Sequence, residues 1–290
     1  MKIFKDLHNK YICKKKGIIA IGYFDALHLG HNHLIKRLVE VSKQKKLGSF
    51  LLTYLNLPKK SLDNKGIIET KFKINEIRKM GVNNLILLNY DENFYTLDPN
   101  KFLNLLKNNF YIEKFLIGKD FSFGKDRSGN VVTLLENGFS IEVIEPFMID
   151  GEYVSTSLIK RLIINGEIER ANNLLGYPFF IEGIVKKGKQ LGRKLGFPTM
   201  NIVNEKICYP LEGSYATITS IGDNKYYSMT YVSKDIIETN LFGYTDFHYN
   251  FKIKIDFFKK IRDNRLFDSL NELKSQLYID LSTVRNYFNL

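Results

Sequence analysis

The sequence predicts a parallel α/β unit with helices on both faces of its sheet, followed by a small antiparallel β-barrel and one C-terminal helix. Three observations carry this. Through residue 176, short apolar runs alternate with amphipathic helical stretches. From Tyr177 the helical period vanishes, and strand-like runs are punctuated by Gly and Pro. At the end of the chain a helical apolar stripe returns behind a capping pair. A chain of 290 residues is long enough for two such units at roughly 100–200 residues each. The boundary is expected near 176–178, giving domains 1–176 and 177–290.

In the first half a short apolar strand over 17–22 runs into a Gly-containing turn. A helix over 31–46 follows, with Leu34, Ile35, Leu38 and Val39 on one face and Lys36, Arg37 and Lys43 opposite. A strand over 50–55 ends near Pro58. The helix over 69–80 stops at Gly81, a residue suited to the left-handed position past a helix end. A strand over 84–88 precedes a helix opened by Asp98-Pro99 and carrying Phe102, Leu103, Leu105 and Leu106. Strands over 115–118 and 141–144 and a helix over 155–165 complete the unit. The second half reads as strands over 179–185, 214–221, 226–232, 236–241 and 251–258. Ser269-x-x-Glu272 is a capping box, and Leu270, Leu273, Leu277, Leu281, Val284 and Phe288 form the last helix's stripe.

Composition removes several function classes. Apolar residues make up 44% and charged residues 26%, so the chain is globular rather than disordered. Apolar runs such as 18–21 and 85–88 are far shorter than the roughly 20 residues a bilayer span needs. Lys2, Lys5 and Asp6 interrupt any apolar stretch near the start, so a signal peptide is not expected and the cytoplasm is. Cys13 and Cys208 form no C-x-x-C, which argues against a disulfide framework and Cys-rich zinc. A net charge of +12 points to anionic partners: nucleic acid, anionic lipid or phosphorylated small molecules. Lysines are spread along the chain, so charge alone does not choose among them.

Three clusters carry chemistry. His28, His31 and His33 directly follow the first strand, in Gly22-Tyr-Phe-Asp-Ala-Leu-His-Leu-Gly-His31. In an open parallel sheet, ligands bind at the carboxyl ends of strands, where helix N-termini attract phosphate. Gly30 allows close backbone approach, and His28 and His31 are donors for charge on a reacting phosphate. A polar turn with incidental histidines, or a metal site on His28 and His31, are the rival readings; no nearby Cys or acid completes a ligand set. The second cluster, Val154-Ser-Thr-Ser-Leu-Ile-Lys160, places Ser155 and Thr156 at a helix start and Lys160 one turn in. Paired with H-x-G-H, it marks nucleotidyltransferases. Between them Gly118-Lys-Asp-Phe-Ser-Phe-Gly124 sets Asp120 at a strand end. The third cluster, Gly188-Lys-Gln-Leu-Gly-Arg-Lys-Leu-Gly-Phe-Pro-Thr-Met-Asn201, is basic at Lys189, Arg193 and Lys194 and is not a P-loop. Thr199 and Asn201 project to one side of an extended segment, which suits Mg²⁺ shared with nucleotide phosphate. Its plainer reading is a basic surface turn.

The whole chain resembles the prokaryotic bifunctional riboflavin kinase/FAD synthetase family. The N-terminal half resembles the FMN adenylyltransferase module through the three motifs at 22–31, 118–124 and 155–160. The C-terminal half resembles the riboflavin kinase module through Leu175-Gly-Tyr-Pro178, Gly192-Arg-x-Leu-Gly-Phe-Pro-Thr-x-Asn201, Gly213-x-Tyr215, Ile237-Glu-Thr239, Ile261-Arg262 and Phe267-x-Ser269. The resemblance implies a Rossmann-like nucleotidyltransferase domain and a riboflavin-kinase-like barrel. It implies two steps: ATP phosphorylates riboflavin to FMN, and a second ATP adenylylates FMN to FAD with release of pyrophosphate. By the same resemblance, Glu238 is the kinase base, and Thr199 and Asn201 hold Mg-ATP. His28 and His31 are the catalytic pair of the other half. ATP and its phosphates fall to Gly22, Phe24, Gly30, Asp120, Ser155, Thr156 and Lys160 in the first half. In the second they fall to Gly188, Gly192, Arg193, Gly196, Thr199 and Asn201.

The chain departs from the family pattern at Ala26 (usually Gly), at Tyr54-Leu-Asn-Leu-Pro58 (usually Phe-Asp-Pro-His-Pro) and at Lys160 (usually Arg). A short 231–235 connection replaces the Gly-x-x-Pro-Thr loop before Glu238, and Leu241-Phe-Gly243 replaces Leu-Asp-Phe after it. That shortened loop supports an alternative in which only the adenylyltransferase half is active and the barrel is a scaffold. A basic RNA-binding protein is the alternative from another class, recognisable by steeply salt-dependent binding. The expected partners are small molecules (riboflavin, FMN, FAD and ATP with Mg²⁺ or another divalent cation), with no nucleic acid and no membrane.

Overall fold

The computed structural model describes residues 1–7, 13–56, 65–188, 191–246 and 248–290. Pro58 and Lys189 lie outside the described residues. The chain separates into two compact units, Met1–Ser155 and Thr156–Leu290.

The first unit runs β1 (Lys2–Phe4), β2 (Cys13–Ile21), α1 (Leu29–Gln44), β3 (Gly48–Tyr54), α2 (Thr70–Lys79), β4 (Asn84–Leu88), α3 (Glu92–Tyr95), α4 (Pro99–Asn109), β5 (Phe110–Gly118), α5 (Val131–Glu136), β6 (Ser140–Ile144) and the hairpin β7 (Met148–Ile149) and β8 (Glu152–Tyr153). Six strands form one parallel sheet in the order β1-β4-β3-β2-β5-β6. Every residue of β3 and of β4 is buried, the signature of strands covered on both faces. One face packs Phe50, Leu52, Ile86, Phe102, Phe110 and Phe115 into a continuous apolar cluster. Strand order reverses between β2 and β5, the point at which a crevice opens at the carboxyl ends of a doubly wound sheet.

Helix ends follow local chemistry. The Asp98 side chain accepts from the N–H groups of Asn100 and Lys101, and Pro99 needs no amide donor in that first turn. Past the C-cap of α2, Gly81 takes φ +88°. Helix α1 begins at Leu29, two residues before the expected start, because the side chain of His28 acts as its N-cap. Gly30 and His31 therefore belong to its first turn.

The second unit runs α6 (Thr156–Ile164), α7 (Ile168–Leu175), β9 (Phe180–Ile184), α8 (Leu191–Leu195), β10 (Met200–Ile202), β11 (Gly213–Ile221), β12 (Asn224–Val232), β13 (Ile237–Leu241), β14 (Lys252–Asp263) and α9 (Leu270–Phe288). Its antiparallel sheet has the order β10-β13-β12-β11-β14-β9. The edges approach each other. Lys186 N–H donates to Asn201 O at 2.8 Å, and a Cβ on Gly183 would lie 2.8 Å from Ile202 Cβ, so the sheet nearly closes into a barrel. Inside it Thr217, Thr219, Ser228, Thr230 and Thr239 are fully buried and hydrogen-bond one another, which satisfies hydroxyls that water cannot reach.

Helices α6 and α7 fall with the second unit, whereas the sequence rhythm divided the chain after 176. Asn172 explains it: its Nδ2 donates to Phe257 O (2.9 Å) and its Oδ1 accepts from Phe179 N–H (2.7 Å), fastening α7 to the barrel. Helix α8 occupies part of what read as a Gly-rich loop. On α9 half of the expected capping box forms: Ser269 Oγ accepts from Glu272 N–H, while the Glu272 carboxylate accepts from Asp268 N–H, one residue before the N-cap. The expected stripe is only partly buried. Leu270 is exposed, while Asp280 lies buried beside Val284 and accepts from Arg262 Nε (2.8 Å), Ser214 Oγ (3.2 Å) and Gln276 Nε2 (2.8 Å). Among the described residues, no helix is long and apolar enough to cross a membrane.

Candidate active sites

In the first unit, β2 delivers the chain into a tight turn at the switch point. Gly22 N–H donates to Leu52 O at 3.1 Å, keeping the turn against β3. Phe24 and Leu27 are both buried and both in the left-handed region, at φ 49° and 42°. Such backbone costs about 1–3 kcal/mol per residue and persists only where its surroundings hold it. Asp25 is also buried, and its carboxylate accepts the Ile67 N–H at 3.2 Å.

His28 Nδ1 accepts from the His31 N–H at 3.2 Å, which assigns the ring proton to Nε2. The His28 and His31 rings stack at 3.7 Å, and Phe24 meets the His31 ring edge-on at 5.0 Å. A Cβ on Gly30 would stand 3.2 Å from the His28 ring, so the missing side chain leaves room for that imidazole. Burial pushes the His28 imidazole down to about 4. Burial, followed by electrostatic coupling to the His28 ring and then to the Lys73 ammonium, holds His31 well below its ordinary value. Both rings are neutral at pH 7. Among the described residues, His31 Nδ1 is buried without a hydrogen-bond partner. No group of three His, Cys, Asp or Glu among the described residues is placed to hold a metal.

Asp120 lies just beyond β5, across the switch point, and is exposed. Arg127 from the same loop donates to Ser122 Oγ at 2.6 Å and reaches Asp120 O at 3.5 Å. Arg127 and its neighbour Asp126 are left-handed, at φ 58° and 52°. Ser155 closes the first unit, while Thr156 and Lys160 stand on α6 in the second. Lys160, read as a cation for an ATP tail, is buried at 5% exposure.

In the second unit, Asn201 on β10 lies directly opposite Glu238 on β13. Glu238 lines a cavity of about 260 Å³ whose walls include Leu195, Phe197, Met229, Phe267 and Leu277. Thr199 lines both this cavity and a smaller one of about 30 Å³, which Gly188, Arg193 and Asn201 also border. A Cβ on Gly188 would lie 2.0 Å from Asn201 Nδ2, so that glycine is required by close approach. Gly192 sits on α8, and Gly196 follows that helix at φ +86°. Among the described residues, Asn201 Oδ1 is buried with no hydrogen-bond partner. An orphaned neutral oxygen beside Thr199 fits a hard, oxygen-seeking cation such as Mg²⁺.

Sequence reasoning passed over several residues here. Lys73 is buried beside the histidine turn, and its signal was an amine sharing the inward face of α2 with Ile77. Arg127 carried only its flanking glycines as a cue. Asp280 interrupts the apolar stripe of α9 and fixes Arg262, which borders the large cavity.

Comparison with known proteins agrees with this geometry. The FAD synthetase family model matches residues 11–158, and the riboflavin kinase model matches residues 175–288. The chain is 32% identical to the bifunctional riboflavin kinase/FMN adenylyltransferase of Buchnera aphidicola subsp. Schizaphis graminum, covering 100% of both chains. It is 31% identical to the protein of the same name from Bacillus subtilis, covering 100% of this chain and 99% of that one. A Streptococcus pneumoniae crystal structure titled a macrolide-efflux protein shares the fold, with a TM-score of 0.89 at 24% identity over 99% of each chain. With both family models matched in this order and full-length bifunctional relatives at 31–32% identity, the chain belongs to the bifunctional riboflavin kinase/FMN adenylyltransferase family.

Proposed function

We propose that the chain runs its family's two reactions at two separate places: riboflavin phosphorylation at Glu238 and Asn201, and FMN adenylylation at the His28–His31 turn. The observation that carries this reading is the cross-strand pair Asn201–Glu238: among the described residues, Asn201 Oδ1 is buried and unpartnered beside the smaller cavity, and Glu238, its register partner, lines the largely apolar one.

In the kinase step, Glu238 takes the proton of the ribityl hydroxyl while that oxygen bonds to the γ-phosphorus of ATP and the bond to ADP breaks. Apolar walls at Phe197, Met229 and Phe267 suit a planar aromatic ring. Thr199 and Asn201 would hold Mg²⁺, which supplies charge neutralisation on the nucleotide phosphates. Gly188, Gly192, Arg193 and Gly196 shape the neighbouring phosphate-facing loop.

In the adenylyltransferase step, an FMN phosphate oxygen bonds to the α-phosphorus of ATP and pyrophosphate leaves. His28 offers Nε2–H at the start of α1, where helix amides already favour anions. Neutral stacked imidazoles donate hydrogen bonds to phosphate oxygens without needing to titrate. Gly22, Phe24 and Gly30 shape the turn and Asp120 helps place the nucleotide; the family resemblance assigns the ATP tail to Ser155, Thr156 and Lys160. The partners are riboflavin, FMN, FAD and ATP, and the setting is the cytoplasm.

Purified protein incubated with riboflavin, ATP and Mg²⁺ should yield FMN and then FAD on chromatography. FMN-to-FAD conversion without riboflavin phosphorylation would instead make the barrel a scaffold.

A further inference from the structure

Lys73 is 6% exposed, an unusual place for an amine, and its bonding is specific. Its Nζ donates to Tyr54 O at 2.7 Å, to Tyr23 O at 3.2 Å and to Thr53 Oγ1 at 3.4 Å. Thr53 Oγ1 itself donates to Tyr23 O at 2.8 Å. Tyr54 is the last residue of β3, and Tyr23 begins the strained turn that leads to His28. One side chain of α2 thus crosslinks two neighbouring strand ends where backbone pairing stops.

We propose that Lys73 is a positioning residue of the adenylyltransferase: its ammonium joins the carboxyl ends of β2 and β3, holds the 23–28 turn in its left-handed conformation, and so sets where His28 and His31 stand. The inference rests on that turn being the adenylyl-transfer site. Three groups of charge or polarity face Lys73: the Asp25 carboxylate from the turn, the His31 imidazole from α1 and the strand-end carbonyls. Burial lowers the lysine to about 8, with Asp25 opposing the shift, and its charge helps keep His31 neutral.

The test uses the full-length chain and three variants. K73M should lower kcat for FAD formation about 10²-fold, the usual cost of a misplaced reacting group, with the KM for ATP within about threefold. Riboflavin phosphorylation by the same sample should be unchanged. In K73M, NMR should show the His31 imidazole titrating at higher pH than in the wild type, because the lysine's charge no longer opposes its protonation. Wild-type FAD formation should decline as pH rises past about 8, and K73R, whose guanidinium stays charged, should remove that decline. If K73M does not fold, this pH comparison decides: a flat wild-type profile, or a decline kept by K73R, overturns the proposal. So does K73M retaining kcat within about threefold of wild type. His31→Ala separates the two levels. Normal FAD synthesis by that variant sinks the site assignment, whereas normal synthesis by K73M alone sinks only the role of Lys73.

Discussion

The rings of His28 and His31 lie face to face, their centroids 3.7 Å apart and their planes 18° from parallel. Two imidazolium cations would repel strongly at that separation, and both rings are held neutral near pH 7. In the adenylyl transfer proposed for this turn, the pair acts through N–H donation at the mouth of α1, where developing phosphate charge meets the helix amides.

Removing one donor should slow chemistry without unfolding the protein. His31→Ala is expected to reduce FAD formation from FMN by roughly 10²–10³-fold, the range for loss of one charge-stabilising donor. Riboflavin phosphorylation should persist. Steady-state assays of both steps on one preparation check this, and full FAD synthesis would remove His31 from the site.

Burial of the pair also makes a pH prediction. His28 binds its proton near 6.5 when unfolded and near 4 when folded, so between those values the unfolded chain holds more protons. Stability should be complete above about 6.5 and fall as pH drops toward about 4. His31 shifts in the same direction. His28→Asn keeps an N-cap acceptor but does not titrate, so it should flatten the acid limb of the melting temperature. An unchanged limb in that variant would show that His28 does not contribute to it.

Gly188→Ala should disable the kinase selectively. The new methyl would meet Asn201 Nδ2 at 2.0 Å and Cγ at 2.7 Å, displacing the amide whose oxygen is otherwise unpartnered. The KM for ATP in riboflavin phosphorylation should rise at least about tenfold while FMN adenylylation is unaffected. Kinetics with ATP as the varied substrate would show it; an unchanged KM would contradict a nucleotide role for Asn201.

Much of this was legible in the sequence because strong local rules agreed with the fold. Apolar runs buried on both faces marked β3 and β4, Asp98-Pro99 marked the start of α4, and Ser269 with Glu272 marked that of α9. The motif residues around His28 and Asn201 were visible as spacing. What escaped depended on tertiary context. The left-handed Phe24 and Leu27 have no local signature, since only packing holds a bulky residue there. Nothing in the sequence singles out Lys73 or Asp280, because helical period cannot tell a buried ion with partners from a solvated one. The cluster from Gly188 reads as a basic surface turn because its glycines weigh against a helix, yet α8 forms where Phe197 N–H returns to Gly192 O at 2.8 Å.

The central claim is that one chain holds two independent active sites, and Glu238→Gln tests it most directly. The substitution preserves shape and removes the proton acceptor, which should cost about 10²–10⁴-fold in riboflavin phosphorylation. Given riboflavin and ATP with Mg²⁺, the variant should leave riboflavin unconverted; given FMN, it should make FAD at the wild-type rate. Equal loss of both conversions in a folded variant, or undiminished FMN formation, would contradict the account.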